Sequence, residues 1–331
     1  LSSYLNIFNI VYPIITSAIL FFFVSISDEK NLSVGNFIAF TASFTAFMSA
    51  MIELSKTLIG SLNIIPLYER AKPILETLPE RDETKSSPGV IEGDIDVSRI
   101  TFRYSSDSPA ILKDLSLKIK SGLFVAFVGP SGSGKSTLMR LLLGFEKAES
   151  GVISIDGQDI STIDLREMRK QMGTVLQNGK IMAGDIFSNI VGSSTRLTLD
   201  DAWKAAEMAG LADDINDMPM GMQTVISEGG GTLSGGQRQR LLIARSIVNK
   251  PKILLFDEAT SALDNKTQAL ITKSIENLNS TRIVIAHRLS TIIKADKIFV
   301  LVKGSLVEEG TYDELMKKNG VFTELAKRQI A

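Results

Sequence analysis

Two apolar blocks open the chain, residues 5–26 and 32–52, and across the first 52 positions the only charges are Asp28, Glu29 and Lys30, in the gap between them. At about 1.5 Å of rise per residue each block reaches across a hydrocarbon core of roughly 30 Å, so the pattern predicts two membrane-spanning helices. Asn6, Asn9, Pro13, Thr41, Ser43 and Thr45 interrupt the apolar run, as expected of helices that pack against others or line a cavity. Residues 53–75 mix apolar and polar positions at helical spacing, which predicts that the second helix continues out of the membrane. The polar, proline-punctuated stretch 76–90 reads as a linker.

Beyond the linker the pattern changes. Residues 94–104 and 111–119 alternate, with Leu115, Leu117 and Ile119 on one side and Ser116, Lys118 and Lys120 on the other, as in half-buried antiparallel strands. Residues 123–128, 253–256 and 282–286 are short unbroken apolar runs, suited to strands buried on both faces of a parallel sheet. Residues 297–302 supply a further strand, and 135–143, 198–211, 237–249 and 312–330 read as helical. The expected architecture is an α/β domain over 91–331, with a parallel core sheet, an antiparallel β layer and a helical subdomain, preceded by two transmembrane α-helices in 1–75.

Composition narrows the function. With 36 Lys+Arg against 37 Asp+Glu in 331 residues, the chain has no basic footprint for nucleic acid. The absence of cysteine excludes disulfides, thiolate metal sites and a cysteine peptidase, and agrees with a reducing compartment. Lys56, Arg70 and Lys72 follow the second apolar block, whereas the connecting loop is net negative, so the globular part is expected on the cytoplasmic side.

The candidate chemistry sits at the ends of the apolar runs. Gly129-Pro130-Ser131-Gly132-Ser133-Gly134-Lys135-Ser136 follows one run and precedes a helix. Its glycines let the backbone turn sharply and approach a ligand, so that successive N–H groups converge on a phosphate at the helix's positive end. Lys135 would reach the β- and γ-phosphates, and the Ser136 hydroxyl would coordinate Mg²⁺. Taken alone, the same letters could be a glycine turn with a solvated lysine. Asp257 and Glu258 close the run 253–256, at the carboxyl edge where open α/β sheets bind ligands. The first carboxylate suits a metal and the second an attacking water. His287, the single histidine, follows 282–286 and could hold the γ-phosphate and the water through a ring nitrogen.

Tyr104, the phosphate loop, Gln177, Leu233-Ser234-Gly235-Gly236-Gln237, Asp257-Glu258, the stretch from Ser261 to Asp264, and His287 together resemble, in order, the nucleotide-binding domain of ABC transporters. The resemblance implies that the chain binds and hydrolyses ATP with Mg²⁺. Tyr104 would stack on the adenine, and the loop from Gly129 to Ser136 with Thr137 would hold the phosphates. Ser136, Gln177 and Asp257 would serve the metal, with Gln177 also sensing the membrane part. Glu258 would be the general base, assisted by His287 and Gln177. Leu233 to Gln237 would bind the γ-phosphate of the opposite subunit, and Ser261 and Asp264 would belong to the loop between the two ATP sites. A second ABC subunit, identical or different, is therefore an implied partner, with the lipid bilayer as the other.

Membrane helices ahead of the nucleotide domain resemble exporter half-transporters, which carry six spans. The abrupt apolar start without an initiator methionine leads us to expect a piece beginning near the fifth. Residues 226–245 look most like the exporters of peptides and bacteriocins with nitrile-hydratase-type leaders, which makes a peptide the expected cargo and the bacterial cytoplasmic membrane the expected location. A lipid or small hydrophobic cargo is the nearest alternative. An ATP-driven DNA-repair or chromosome clamp would carry a coiled-coil insertion and basic stripes, and intact Glu258 and His287 argue against a weakly hydrolysing ATP-gated regulator.

Overall fold

The computed structural model describes residues 2–26, 33–77, 85–177, 179–227, 231–257, 264–286 and 288–330. It divides into two compact units, Leu1–Glu80 and Arg81–Ala331.

The first unit is helical: α1 (Ser2–Ile26), α2 (Val34–Leu62) and α3 (Ile64–Glu76). Among the described residues, Val34–Glu76 is the one helical stretch long and apolar enough by length and composition to cross a membrane; Ile10–Ile26 is apolar but shorter. Ile14, Phe21, Phe22, Ile38 and Phe47 are exposed in this unit. Thr41, Ser43 and Thr45 donate their hydroxyls to the carbonyls of Phe37, Ala39 and Thr41 at 2.8–2.9 Å. Their polarity is thereby satisfied within α2, which lowers the cost of placing them in apolar surroundings.

The second unit contains, in order, β1 (Ile95–Phe102), β2 (Leu112–Ile119), β3 (Phe124–Val128), α4 (Lys135–Leu142), β4 (Ser150–Ile155), β5 (Gln158–Asp159), α5 (Leu165–Lys170) and β6 (Met172–Val175). The helical subdomain follows: β7 (Gly184–Asp185), α6 (Ile186–Val191), α7 (Leu199–Met208), α8 (Ala212–Asn216), a 3₁₀ turn at Gly221–Gln223, β8 (Val225–Ile226) and α9 (Gly235–Ile247). The chain then returns through β9 (Ile253–Asp257), α10 (Asn265–Glu276), β10 (Thr281–Ile285), α11 (Leu289–Ile292), β11 (Lys297–Val302), β12 (Ser305–Gly310), α12 (Tyr312–Lys318) and α13 (Val321–Ile330).

The main sheet runs β12-β11-β3-β10-β9-β6, parallel except for the β11–β12 hairpin. All five residues of β3 and all five of β9 are buried, as continuous apolar strands in a sheet covered on both faces must be. A second sheet, β2-β1-β4-β5, is antiparallel. In β2 Leu115, Leu117 and Ile119 are buried while Ser116 and Lys118 are exposed, the expected alternation. Ile100, Leu115, Phe127 and Phe299 join Leu138, Met139 and Leu142 of α4 in one core. Each large side chain so buried contributes about 1.5–3 kcal/mol of transfer free energy. A second core belongs to the helical subdomain, where Ala202, Ala206, Leu241 and Ala244 pack with Leu254 and Phe256 of β9.

Two local expectations change. The terminal helical stretch 312–330 is two helices, because Asn319 adopts a left-handed conformation and Glu308 of β12 accepts from the N–H groups of Val321 and Phe322 at 2.8 and 3.0 Å, capping α13 anew. The signature helix begins at Gly235 and ends at Ile247, rather than spanning 237–249, because Ser234 is its N-cap.

Candidate nucleotide site

Strand register decides where the motifs lie. Phe127 of β3 pairs with Ile285 of β10, which pairs with Asp257 of β9, and Phe256 pairs with Val175 of β6. Four parallel strands therefore end along one sheet edge, each about 4.8 Å from the next. The phosphate loop leaves β3 at that edge, Gln177 follows β6, and Asp257 ends β9 there. Asp257 is buried and Gln177 is exposed. Glu258, Ser261 and His287 lie outside the described residues.

The phosphate loop needs its glycines. Gly129, Gly132 and Gly134 have φ of 152°, 75° and 98°. A Cβ on Gly129 would sit 2.0 Å from the Leu301 carbonyl oxygen, and one on Gly134 would sit 2.6 Å from Leu112 Cδ2. Gly134 is the N-cap of α4, so the N–H groups of that helix's first turn, which have no acceptor within the helix, face the loop. The Lys135 ammonium is buried inside the loop, where it donates to the carbonyls of Gly129 and Pro130 at 2.9 Å each and to Ser133 Oγ at 3.3 Å. Pro130, Ser131 and Gly132 border it, Ser136 is exposed beside it, and Thr137 is buried one residue further along α4.

Tyr104 lies in the bend just past β1, two residues beyond the strand's end, and reaches this helix: its hydroxyl lies 3.2 Å from Thr137 Oγ1. Its ring packs edge-on to Phe102, centroids 4.9 Å apart, and is 56% exposed. An exposed, oriented aromatic face beside a phosphate loop can stack on a base, which contributes roughly 1 kcal/mol, about fivefold in affinity. Tyr104→Ala is expected to weaken ATP binding by about that factor with little change in thermal stability. A nucleotide titration that finds the affinity unchanged would leave Tyr104 only its packing on Phe102 and its contact with Thr137.

The signature stands apart from the sheet edge, on the helical subdomain. Leu233 is buried in that subdomain's core. Ser234 and Gln237 form a reciprocal cap: Ser234 N donates to Gln237 Oε1 at 2.9 Å, and Gln237 N donates to Ser234 Oγ at 3.1 Å. Gly235 and Gly236 fill the first turn, whose N–H groups have no acceptor within the helix. Two residues that the sequence pattern did not single out lie behind this cap. Gln237 Nε2 donates to Asp214 Oδ1 at 2.8 Å, and Arg240 Nη2 lies 3.0 Å from Asp214 Oδ2. Their separation in sequence leaves no local signal for either contact.

Further along α9, Arg245 donates to the Asn189 carbonyl at 2.6 Å and to the Lys180 carbonyl at 3.1 Å. Asn189 in turn holds Met182 through both ends of its side-chain amide: Oδ1 accepts from the Met182 N–H at 3.0 Å and Nδ2 donates to the Met182 carbonyl at 2.9 Å. The segment after Gln177 is thus tied to the signature helix. Burial pushes the Arg245 guanidinium below its usual pKa. Asp264 accepts from Thr267 N at 3.0 Å and Thr267 Oγ1 at 2.7 Å, which makes it the cap of α10 whatever else it contacts.

Residues 112–261, the stretch from β2 through β9 to the residues that follow it, match the family model of the ABC transporter. They form an ABC transporter ATP-binding domain with the P-loop ABC ATPase fold. The leukotoxin translocation ATP-binding protein LktB of Pasteurella haemolytica-like sp. (strain 5943B) is 40% identical over 303 residues, 91% of this chain and 43% of that protein. LktB of Mannheimia haemolytica is 39% identical over 303 residues, with the same coverage. The chain therefore spans less than half the length of these relatives. A solved structure of a bacterial Atm1-family ABC exporter with ATP bound superposes with a TM-score of 0.78 at 34% identity, covering 100% of this chain and 59% of the exporter. The match takes in the apolar helices, so the chain is an ABC ATP-binding domain fused to a membrane part, as in exporters of the Atm1 and LktB kinds.

Proposed function

We propose that this chain is the ATP-hydrolysing part of a membrane exporter, in which ATP binding clamps two nucleotide domains together and hydrolysis releases them. The observation that carries the reading is the common sheet edge: register brings the phosphate loop, Asp257 and the Gln177 segment to one line, while the signature cap sits on a separate subdomain. A single chain then offers a phosphate cradle at one place and a second anion-facing turn at another, and a partner chain would supply the complement of each. The partner is an identical or a different ABC subunit. The two apolar helices cross the bacterial cytoplasmic membrane, and the nucleotide domain lies in the cytoplasm.

Mg²⁺ fits the donor set. Ser136, Asp257 and Gln177 offer hydroxyl, carboxylate and amide oxygens, the hard ligands of a small cation that keeps several waters and shares the rest of its shell with phosphates. When bound, it would neutralise phosphate charge.

The cargo is a peptide in this reading. The leukotoxin-translocating relatives favour a secreted toxin or peptide over a lipid, and the resemblance of residues 226–245 to exporters of nitrile-hydratase-type leader peptides points the same way. Comparing leader-bearing peptides with lipids as stimulators of turnover in reconstituted membranes separates the two cargo classes.

Hydrolysis itself is tested at Glu258. Glu258→Gln keeps the shape and removes the acceptor for the water's proton. It is expected to bind ATP within about threefold of wild type and to turn it over at least about a hundredfold more slowly. Wild-type turnover in this variant would remove Glu258 from the role of base.

A further inference from the structure

The reciprocal cap at Ser234 depends on which way round the Gln237 amide sits. An amide has one acceptor end and one donor end. The Ser234 N–H needs the acceptor, and it has it at 2.9 Å. What fixes that choice is the other partner: Asp214 is a carboxylate, which can only accept, and it takes the Gln237 NH₂ at 2.8 Å. Reversal of the amide would set NH₂ against the Ser234 N–H and oxygen against a carboxylate, so two contacts would be lost at once.

Arg240 completes the arrangement. Its Nη2 lies 3.0 and 3.2 Å from the two oxygens of Asp214, and its Nη1 donates to the Gly210 carbonyl at 2.8 Å. The carboxylate is thus pinned and its charge offset, which matters because an uncompensated anion here would repel phosphate. With Ser234 Oγ accepting from Gln237 N at 3.1 Å, the hydroxyl proton remains to be donated outward, beside the N–H groups of Gly235 and Gly236.

We propose that Asp214 is a positioning residue for the signature: by fixing the orientation of the Gln237 amide, it holds the Ser234 hydroxyl and the Gly235 and Gly236 N–H groups aimed at the γ-phosphate of a nucleotide bound by a partner chain. The inference rests on the two-chain ATPase reading above. Asp214 touches no nucleotide itself. It acts on turnover through Gln237 and leaves the phosphate loop of its own chain unaffected.

The test uses the full chain in lipid nanodiscs, with ATP as the probe and turnover, equilibrium nucleotide affinity and melting temperature as readouts. Asp214→Ala is expected to cut kcat at least about tenfold, with nucleotide affinity in the absence of turnover changed by less than about twofold. Gln237→Glu alone sets two carboxylates face to face and is expected to fail similarly. Asp214→Asn keeps an oxygen that accepts from the Gln237 NH₂ and adds no charge to the signature. It is expected to retain at least about half of wild-type kcat. The proposal is overturned if Asp214→Ala retains most of the turnover, or if Asp214→Asn is no better than Asp214→Ala. A melting temperature lowered in Asp214→Ala and Asp214→Asn alike, without kinetic recovery in Asp214→Asn, also overturns it, by leaving Asp214 a purely structural part. A wild-type chain that binds ATP and never hydrolyses it would sink the ATPase reading first, and this inference with it.

Discussion

Lys135→Ala is expected to weaken ATP binding at least about a hundredfold while leaving the domain folded. A unit charge about 4 Å from a phosphate oxygen is worth about 4 kcal/mol at the effective dielectric of a protein surface, and roughly 2.7 kcal/mol already amounts to a hundredfold. The fold has little to lose from the change. The ammonium donates to two loop carbonyls and the Ser133 hydroxyl, and Pro130, Ser131 and Gly132 beside them are open enough for water to reach those acceptors in its place. Lys135→Arg should not rescue binding, because a planar guanidinium is bulkier than the compact ammonium that the loop encloses. Nucleotide titration together with a melting curve checks both halves. Affinity within about threefold of wild type would remove Lys135 from phosphate recognition.

The contrast with Tyr104→Ala makes the two effects separable. One residue faces the phosphates as a point charge and the other presents an aromatic face, so the losses should differ by more than an order of magnitude and respond differently to salt.

Much of the fold was legible because the signals were local. Residues 123–128, 253–256 and 282–286 read as buried parallel strands, and β3, β9 and β10 occupy them within a residue or two. The alternation in β2 placed Leu115, Leu117 and Ile119 inward. The phosphate loop was visible because its chemistry is contiguous: glycine φ values, lysine and hydroxyl all fall within eight residues.

What escaped was non-local. β12 was not anticipated, since its hairpin turns on Lys303 and Gly304, both with positive φ, and Lys-Gly is a weaker turn signal than Asn-Gly or Asp-Gly. The division of 312–330 into two helices depends on Glu308, a strand residue that the helical pattern does not contain. The cap at Ser234 was readable as Ser-x-x-Gln, the spacing of a capping box. The third member, Asp214, lies 23 residues upstream of Gln237 and is one of several acids in its stretch. Gln177 and Tyr104 could be named from sequence only by resemblance. In the structure the Tyr104 hydroxyl lies beside Thr137 at the head of α4, and Gln177 follows the strand beside the one that ends in Asp257.

Each ATP site, in the reading proposed above, is built from two chains, and mixing two inactive variants distinguishes that arrangement from a self-sufficient chain. Lys135→Ala disables the phosphate loop and leaves the signature, whereas Ser234→Arg fills the signature with a bulky cation and leaves the loop. Each variant alone is expected to be nearly inactive, since every composite site then lacks one half. A mixed dimer unites one intact loop with one intact signature and should recover part of wild-type turnover, rising with the fraction of mixed dimers. Mixed dimers that demonstrably form and stay inactive, or a lone monomer that hydrolyses ATP at the full rate, would contradict the account.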